Sequence, residues 1–165
     1  MLPNLQDVNL SNNDFPSESL CAFSTKCPNL EKITWHNIDI NQSAIRINGW
    51  DMMHTSNLNE IYMDDSVLMM DAADQRHEYS DLENDKHSNI FLFYQCSTKL
   101  ERVSIRNAKW YNSYRIRDFT TVIPQTALIK FVRKAPLSLR WFRSDLTEEN
   151  MTILRSERPG IELVN

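Results

Sequence analysis

The sequence predicts an α/β solenoid: a curved parallel sheet on the concave side and helices on the convex side, in about five irregular units. Three observations carry that expectation. Leu5, Val8 and Leu10, followed by Asn13 and Phe15, place apolar residues three, then two, apart ahead of an asparagine. This pattern returns 25 residues later at Leu30 and 28 residues after that at Leu58. Between the returns stand apolar residues at helical spacing, such as Leu20, Phe23 and Cys27. Alternation at period two marks a half-buried strand, and recurrence every three to four residues marks a helix. Each unit therefore supplies one of each.

In the first unit, LQDVNLSNNDF leads to a helix opened by Ser17, Glu18 and Ser19 and ended by Pro28. The second, CPNLEKITWHNIDI, puts Leu30, Ile33, Trp35, Ile38 and Ile40 in the buried slots. Ile38 takes the asparagine slot and Asn37 stands one place early, so a different turn is expected there. Next come NLNEIYMDDSVL, with Leu58, Ile61, Met63 and Leu68, and KLERVSIRNAKW, with Leu100, Val103, Ile105 and Trp110 and again an early Asn107. LSLRWFRSDL closes the series with Leu139 and Phe142, but its third slot holds the polar Ser144. Trp35, Met63 and Trp110 occupy core slots and read as packing residues.

Units of this length and pattern are those of leucine-rich repeats. The C-P-N-L-E-x-I motif at 27–33 resembles the cysteine-containing repeats of substrate-selecting adaptor subunits and of large repeat families in unicellular algae. The ending RSDLTEENMTILRSERPGIELVN resembles the C-terminal unit of those algal proteins, so 139–165 is expected to be a capping unit with a natural end near Asn165. Within it, Thr147 is the expected N-cap. Glu148 and Glu149 stand at the positive end of the helix dipole, Met151 and Leu154 face the core, and Ile161 and Leu163 form a last strand. The resemblance implies a protein-interaction scaffold or, as an alternative, the substrate-recognition part of an F-box-type ubiquitin ligase adaptor. The box that docks such an adaptor would stand upstream of Met1. An uncapped first unit points the same way, because solenoid ends need polar terminal units.

The whole chain, 1–165, is expected to be one such domain with two insertions. Spacings of 42 residues (58 to 100) and 39 residues (100 to 139) each exceed one unit. With helices expected at Ile90–Tyr94 and across Ala127, Leu128, Phe131, Val132 and Ala135, the excess falls at about 69–88 and 111–123. Both segments follow a strand and precede a helix, which places them on one rim. Their charges oppose. Residues 64 to 88 hold eight acidic side chains against Arg76 and Lys86, and residues 100 to 143 hold ten basic ones against Glu101 and Asp118. A sharper expectation is that the acidic segment covers the basic, aromatic patch of Lys109, Trp110, Tyr111, Tyr114, Arg115 and Arg117 until a partner displaces it.

Composition excludes several chemistries. With only two glycines, phosphate-cradling loops are not expected. Cys21, Cys27 and Cys96 are odd in number and lie in apolar stretches, so they read as core thiols of an intracellular protein, cytoplasmic or nuclear, rather than as a disulfide framework. Sequons at Asn9, Asn41 and Asn150 follow no secretory leader, and no apolar run reaches membrane-spanning length. Asp81, Glu83, Asp85 and His87 imitate the start of a calcium loop, but Lys86 and Leu92 stand where glycine and a bidentate glutamate are required. His36, His54, His77 and His87 lack paired-ligand spacing. No metal, cofactor or catalytic residue is expected, and the chain reads as no enzyme.

Aligned strands would set three rows of side chains on the concave surface: Asp7, Lys32, Glu60, Arg102 and Trp141; Asn9, Thr34, Tyr62, Ser104 and Arg143; Ser11, His36, Asp64, Arg106 and Asp145. Alternating signs in the first and third rows read as ladders of mutual neutralisation. Tyr62, Trp141 and Arg143 are residue types enriched in binding hot spots. The expected partner-binding residues are Tyr62, Asp64, Arg102, Arg106, Trp141 and Arg143, with Tyr111, Tyr114, Arg115 and Arg117 on the rim. The leading partner is another protein. Nucleic acid, through the basic segment 100–143, is the competing class and lacks any recognition motif.

Overall fold

The computed structural model describes residues 2, 4–12, 26–37, 57–69, 99–112 and 119–165; at 68, 69, 110–112 and 119–121 it describes the backbone alone. Nine strands and two helices follow one another along them: β1 (Asp7–Asn9), β2 (Lys32–Thr34), β3 (Glu60–Tyr62), β4 (Val67–Met69), β5 (Arg102–Ser104), β6 (Lys109–Asn112), β7 (Phe119–Val122), α1 (Gln125–Lys134), β8 (Trp141–Arg143), α2 (Glu148–Glu157) and β9 (Glu162–Val164). Six strands form one all-parallel sheet in the order β1-β2-β3-β5-β8-β9. Its register aligns Val8, Ile33, Ile61, Val103, Phe142 and Leu163.

The apolar slots become stacked rows of core. Leu30, Leu58, Leu100 and Leu139 form one, and Trp35, Met63, Ile105 and Ser144 another, all buried. Full burial of a leucine or isoleucine contributes about 1.5–3 kcal/mol, so rows of this kind dominate the stability of the sheet. Ser144 keeps its slot although its hydroxyl is buried with no hydrogen-bond partner among the described residues. Cys27 is a buried free thiol, whereas Cys21 and Cys96 lie outside the described residues.

The turns correct one expectation. Asn12, Asn37, Asp65 and Asn107, each the third residue after its strand, have φ of 54° to 59°. Asparagine and aspartate tolerate this left-handed region because their short polar side chains bond locally. Asn37 Nδ2 donates to Asn12 Oδ1 at 3.1 Å, and Asn107 Nδ2 donates to Asp65 Oδ1 at 3.0 Å. The early asparagines thus mark a regular turn that four units share. What differs is the slot that follows: Ser66 and Ala108 fill it in two units, both buried, and Ser66 Oγ donates to the Trp35 carbonyl at 3.1 Å.

A second sheet was not legible in the pattern. β4 pairs parallel with β6, and β6 pairs antiparallel with β7. Within the expected basic insertion, 111–123, residues 111–112 and 119–122 therefore lie in paired strands. Its residues 113–118, and the acidic insertion beyond Met69, lie outside the described residues.

The C-terminal unit follows its sequence closely. α1 buries Ala127, Leu128, Phe131 and Val132, and Phe131 meets Phe142 with ring centroids 4.8 Å apart. Thr147 Oγ1 accepts the Asn150 amide, and α2 buries Met151 and Leu154. Arg158 donates to the carbonyls of Val132 (3.1 Å), Ala135 (3.2 Å) and Pro136 (3.3 Å), setting a cation on the negative end of α1.

Candidate interaction face

One face of the six-stranded sheet is packed against the core, so every second residue of its strands stands on the other face. The register puts Asp7, Lys32, Glu60, Arg102, Trp141 and Glu162 in one row, and Asn9, Thr34, Tyr62, Ser104, Arg143 and Val164 in the next. The expected rows therefore stand side by side, with β9 added at the end.

Within the first row the alternating signs have two different outcomes. Lys32 Nζ meets Asp7 Oδ2 at 3.1 Å. That hydrogen bond, with Asp7's charge behind it, raises the Lys32 ammonium above its ordinary range. Glu60 and Arg102 form no such ion pair. The Tyr62 hydroxyl stands between them, donating to Glu60 Oε2 at 2.9 Å and accepting from Arg102 Nε at 3.2 Å. Burial, and then the bond to Glu60, push the Tyr62 phenol above its ordinary value of 10.0, while Arg102 opposes the rise.

Arg102 also lays its guanidinium over Trp141, 4.7 Å from the ring centroid, and Trp141 stands 6.1 Å from the Tyr62 ring at a 48° tilt. Lys32 approaches the Tyr62 ring at 5.8 Å. Cation–π contacts of this kind contribute about 0.5–1 kcal/mol at exposed sites. The result is a half-buried aromatic pair held between cations.

Beside it the third row works through the backbone. His36 N–H donates to Ser11 Oγ (3.0 Å), Asp64 N–H to His36 Nδ1 (3.0 Å) and Arg106 N–H to Asp64 Oδ1 (2.8 Å). Because His36 Nδ1 is an acceptor here, it has no proton to give Asp64 Oδ2, 3.9 Å away. Asp64 instead takes its cation from two strands off: Arg143 Nη1 lies 3.3 Å from Asp64 Oδ2. The residue under that bridge is the small, buried Ser104, whose hydroxyl also donates to Asp64 Oδ1. Arg106, expected to pair with Asp64 by charge, meets it through its amide alone.

Six of the ten expected partner-binding residues thus meet on one face: Tyr62, Asp64, Arg102, Arg106, Trp141 and Arg143. Tyr111 belongs to the other sheet, paired with Met69 and Thr120. Tyr114, Arg115 and Arg117, like the acidic segment expected to cover them, lie outside the described residues. Glu60 and Ser104 stood in the aligned rows but were not singled out. Ser104's small size among bulkier neighbours was the available signal.

No protein-family model and no curated protein matches the chain. Among the described residues, no helix is long and apolar enough to cross a membrane.

Proposed function

We propose that the chain is a leucine-rich repeat solenoid acting as a non-enzymatic protein-interaction scaffold, with the six-stranded sheet as its concave binding surface. One observation carries this reading: Tyr62, Arg102 and Trp141 form a joined cluster in the middle of a face whose neighbouring charges are largely engaged. Two half-buried aromatic side chains and an exposed arginine held in place by them have the make-up of a binding hot spot. Rigid aromatic surface also loses little conformational entropy on association.

Panning a random peptide library against the full chain tests it. Selected peptides are expected to lose binding to Trp141→Ala and Tyr62→Ala while keeping it to Ile153→Ala, an exposed position on α2. Binders indifferent to both face variants would overturn the reading.

A further inference from the structure

We propose that the part of this face between β3 and β8 takes an acidic, extended peptide, whose carboxylates are received by Arg102 and Arg106. The proposal rests on the scaffold reading and adds the chemistry of the partner.

It follows from an imbalance in hydrogen bonding. The carboxylates closest to Arg102 and Arg106 have protein donors: Glu60 has Tyr62, Asp64 has Ser104, Arg106 N–H and Arg143, and Asp145 has the Asn107 amide, whereas Glu162 at the end of the first row has none among the described residues. The cations do not match them. Arg143 is committed to Asp64. Arg102 gives its Nε–H to Tyr62 and its flat face to Trp141, and forms no ion pair among the described residues. The Arg106 guanidinium makes neither hydrogen bond nor ion pair among them.

Arg102 is therefore fixed at two points, while its Nη1 and Nη2 donate to no acceptor among the described residues. A guanidinium so oriented accepts a carboxylate in a bidentate pair with less ordering left to do. Arg106 stands four positions further on the same side of the chain, about 13 Å along an extended backbone. An extended ligand with acidic side chains four positions apart matches that separation. The residue between them would meet the Trp141 and Tyr62 rings.

A continuous polyanion fits less well. Glu60, Glu101 and Glu162 share or border this strip and the whole chain carries a net charge of −4. Repulsion from these carboxylates acts on every phosphate of a nucleic acid, but only weakly on two isolated carboxylates.

The test is fluorescence anisotropy of labelled peptides EVFVE and KVFVK with the full chain. EVFVE is expected to bind, KVFVK not. Arg102→Gln and Arg106→Gln each weaken EVFVE by about tenfold or more, the scale of one charge-assisted hydrogen bond. Arg102→Lys, which keeps the charge and loses the fork, falls between. Unchanged circular dichroism shows that the variants fold. The proposal is overturned if EVFVE does not bind, if neither glutamine variant moves its affinity, or if single-stranded oligo-dT displaces it at lower concentration. Trp141-dependent binding of KVFVK would also end this proposal while leaving the scaffold reading intact. Binding of neither peptide, joined by a library without Trp141-dependent members, would end both.

Discussion

The first and third rows of the sheet's polar face carry similar alternations of charge and use them differently. In the first row, Asp7 and Lys32 pair with each other near solvent and Lys32 also approaches the Tyr62 ring, while Glu60 and Arg102 are kept apart by Tyr62. In the third row, Asp64 is 13% exposed and accepts a backbone amide and a hydroxyl in addition to Arg143. A carboxylate that receives a neighbouring unit's amide is part of the sheet's framework. One that receives only a side chain remains adjustable. Charge alternation alone does not distinguish the two.

Breaking the framework should have the largest effect. Asp64→Ala leaves the Arg106 amide, the Ser104 hydroxyl and the Arg143 guanidinium without their acceptor, and is expected to destabilise by about 3 kcal/mol, with an unchanged m-value in urea. Glu60→Ala in the first row is expected to shift stability by less than about 1 kcal/mol. Equal losses at the two positions would erase the distinction between the rows.

Ser104→Val sharpens the contrast from beneath. It removes the hydroxyl from Asp64 and places methyl groups under the bridge, for an expected loss of about 1–2 kcal/mol. A double-mutant cycle between Asp64 and Arg143 should then show reduced coupling.

Tyr62→Phe is expected to cost less than about 1 kcal/mol at neutral pH, since only one mediating hydroxyl is lost. Its signature is the pH dependence. The folded-state phenol is raised above the unfolded value, so its contribution is fully present below pH 10.0 and lost as pH rises through the folded value. The stability difference between wild type and Tyr62→Phe should therefore shrink with rising alkalinity. A difference that grew above pH 10 would contradict the geometry.

Lys32→Met is expected to leave the unfolding midpoint unchanged within error. The Lys32 ammonium is solvated and its pair with Asp7 is screened at ordinary salt.

The parallel register could be read in the sequence because it depends on side chains that must be buried: Leu30, Leu58, Leu100 and Leu139 recur at one slot, and a one-residue slip would turn them to solvent. Both C-terminal helices were legible for the same reason, and Thr147 marked the start of one. The asparagine of the repeat pattern places the turn one slot late, because the physical constraint is the positive φ at Asn12, Asn37, Asp65 and Asn107. The hairpin of β6 and β7 was missed although Thr120, Thr121 and Val122 form a β-branched run. Within the face, sequence placed Arg143 and Asp64 in different rows; they meet across the small Ser104, which stands between their strands.

The shared left-handed turn also bears on how this chain tolerates change in length. Asn12, Asn37, Asp65 and Asn107 are 25, 28 and 42 residues apart, yet each sits at the same place after its strand. The units are thus phased by a conformation rather than by counting residues. Closing a longer connection adds only about 0.6 kcal/mol per doubling of its length. The lengths between these four turns can consequently differ without moving the polar rows of the sheet.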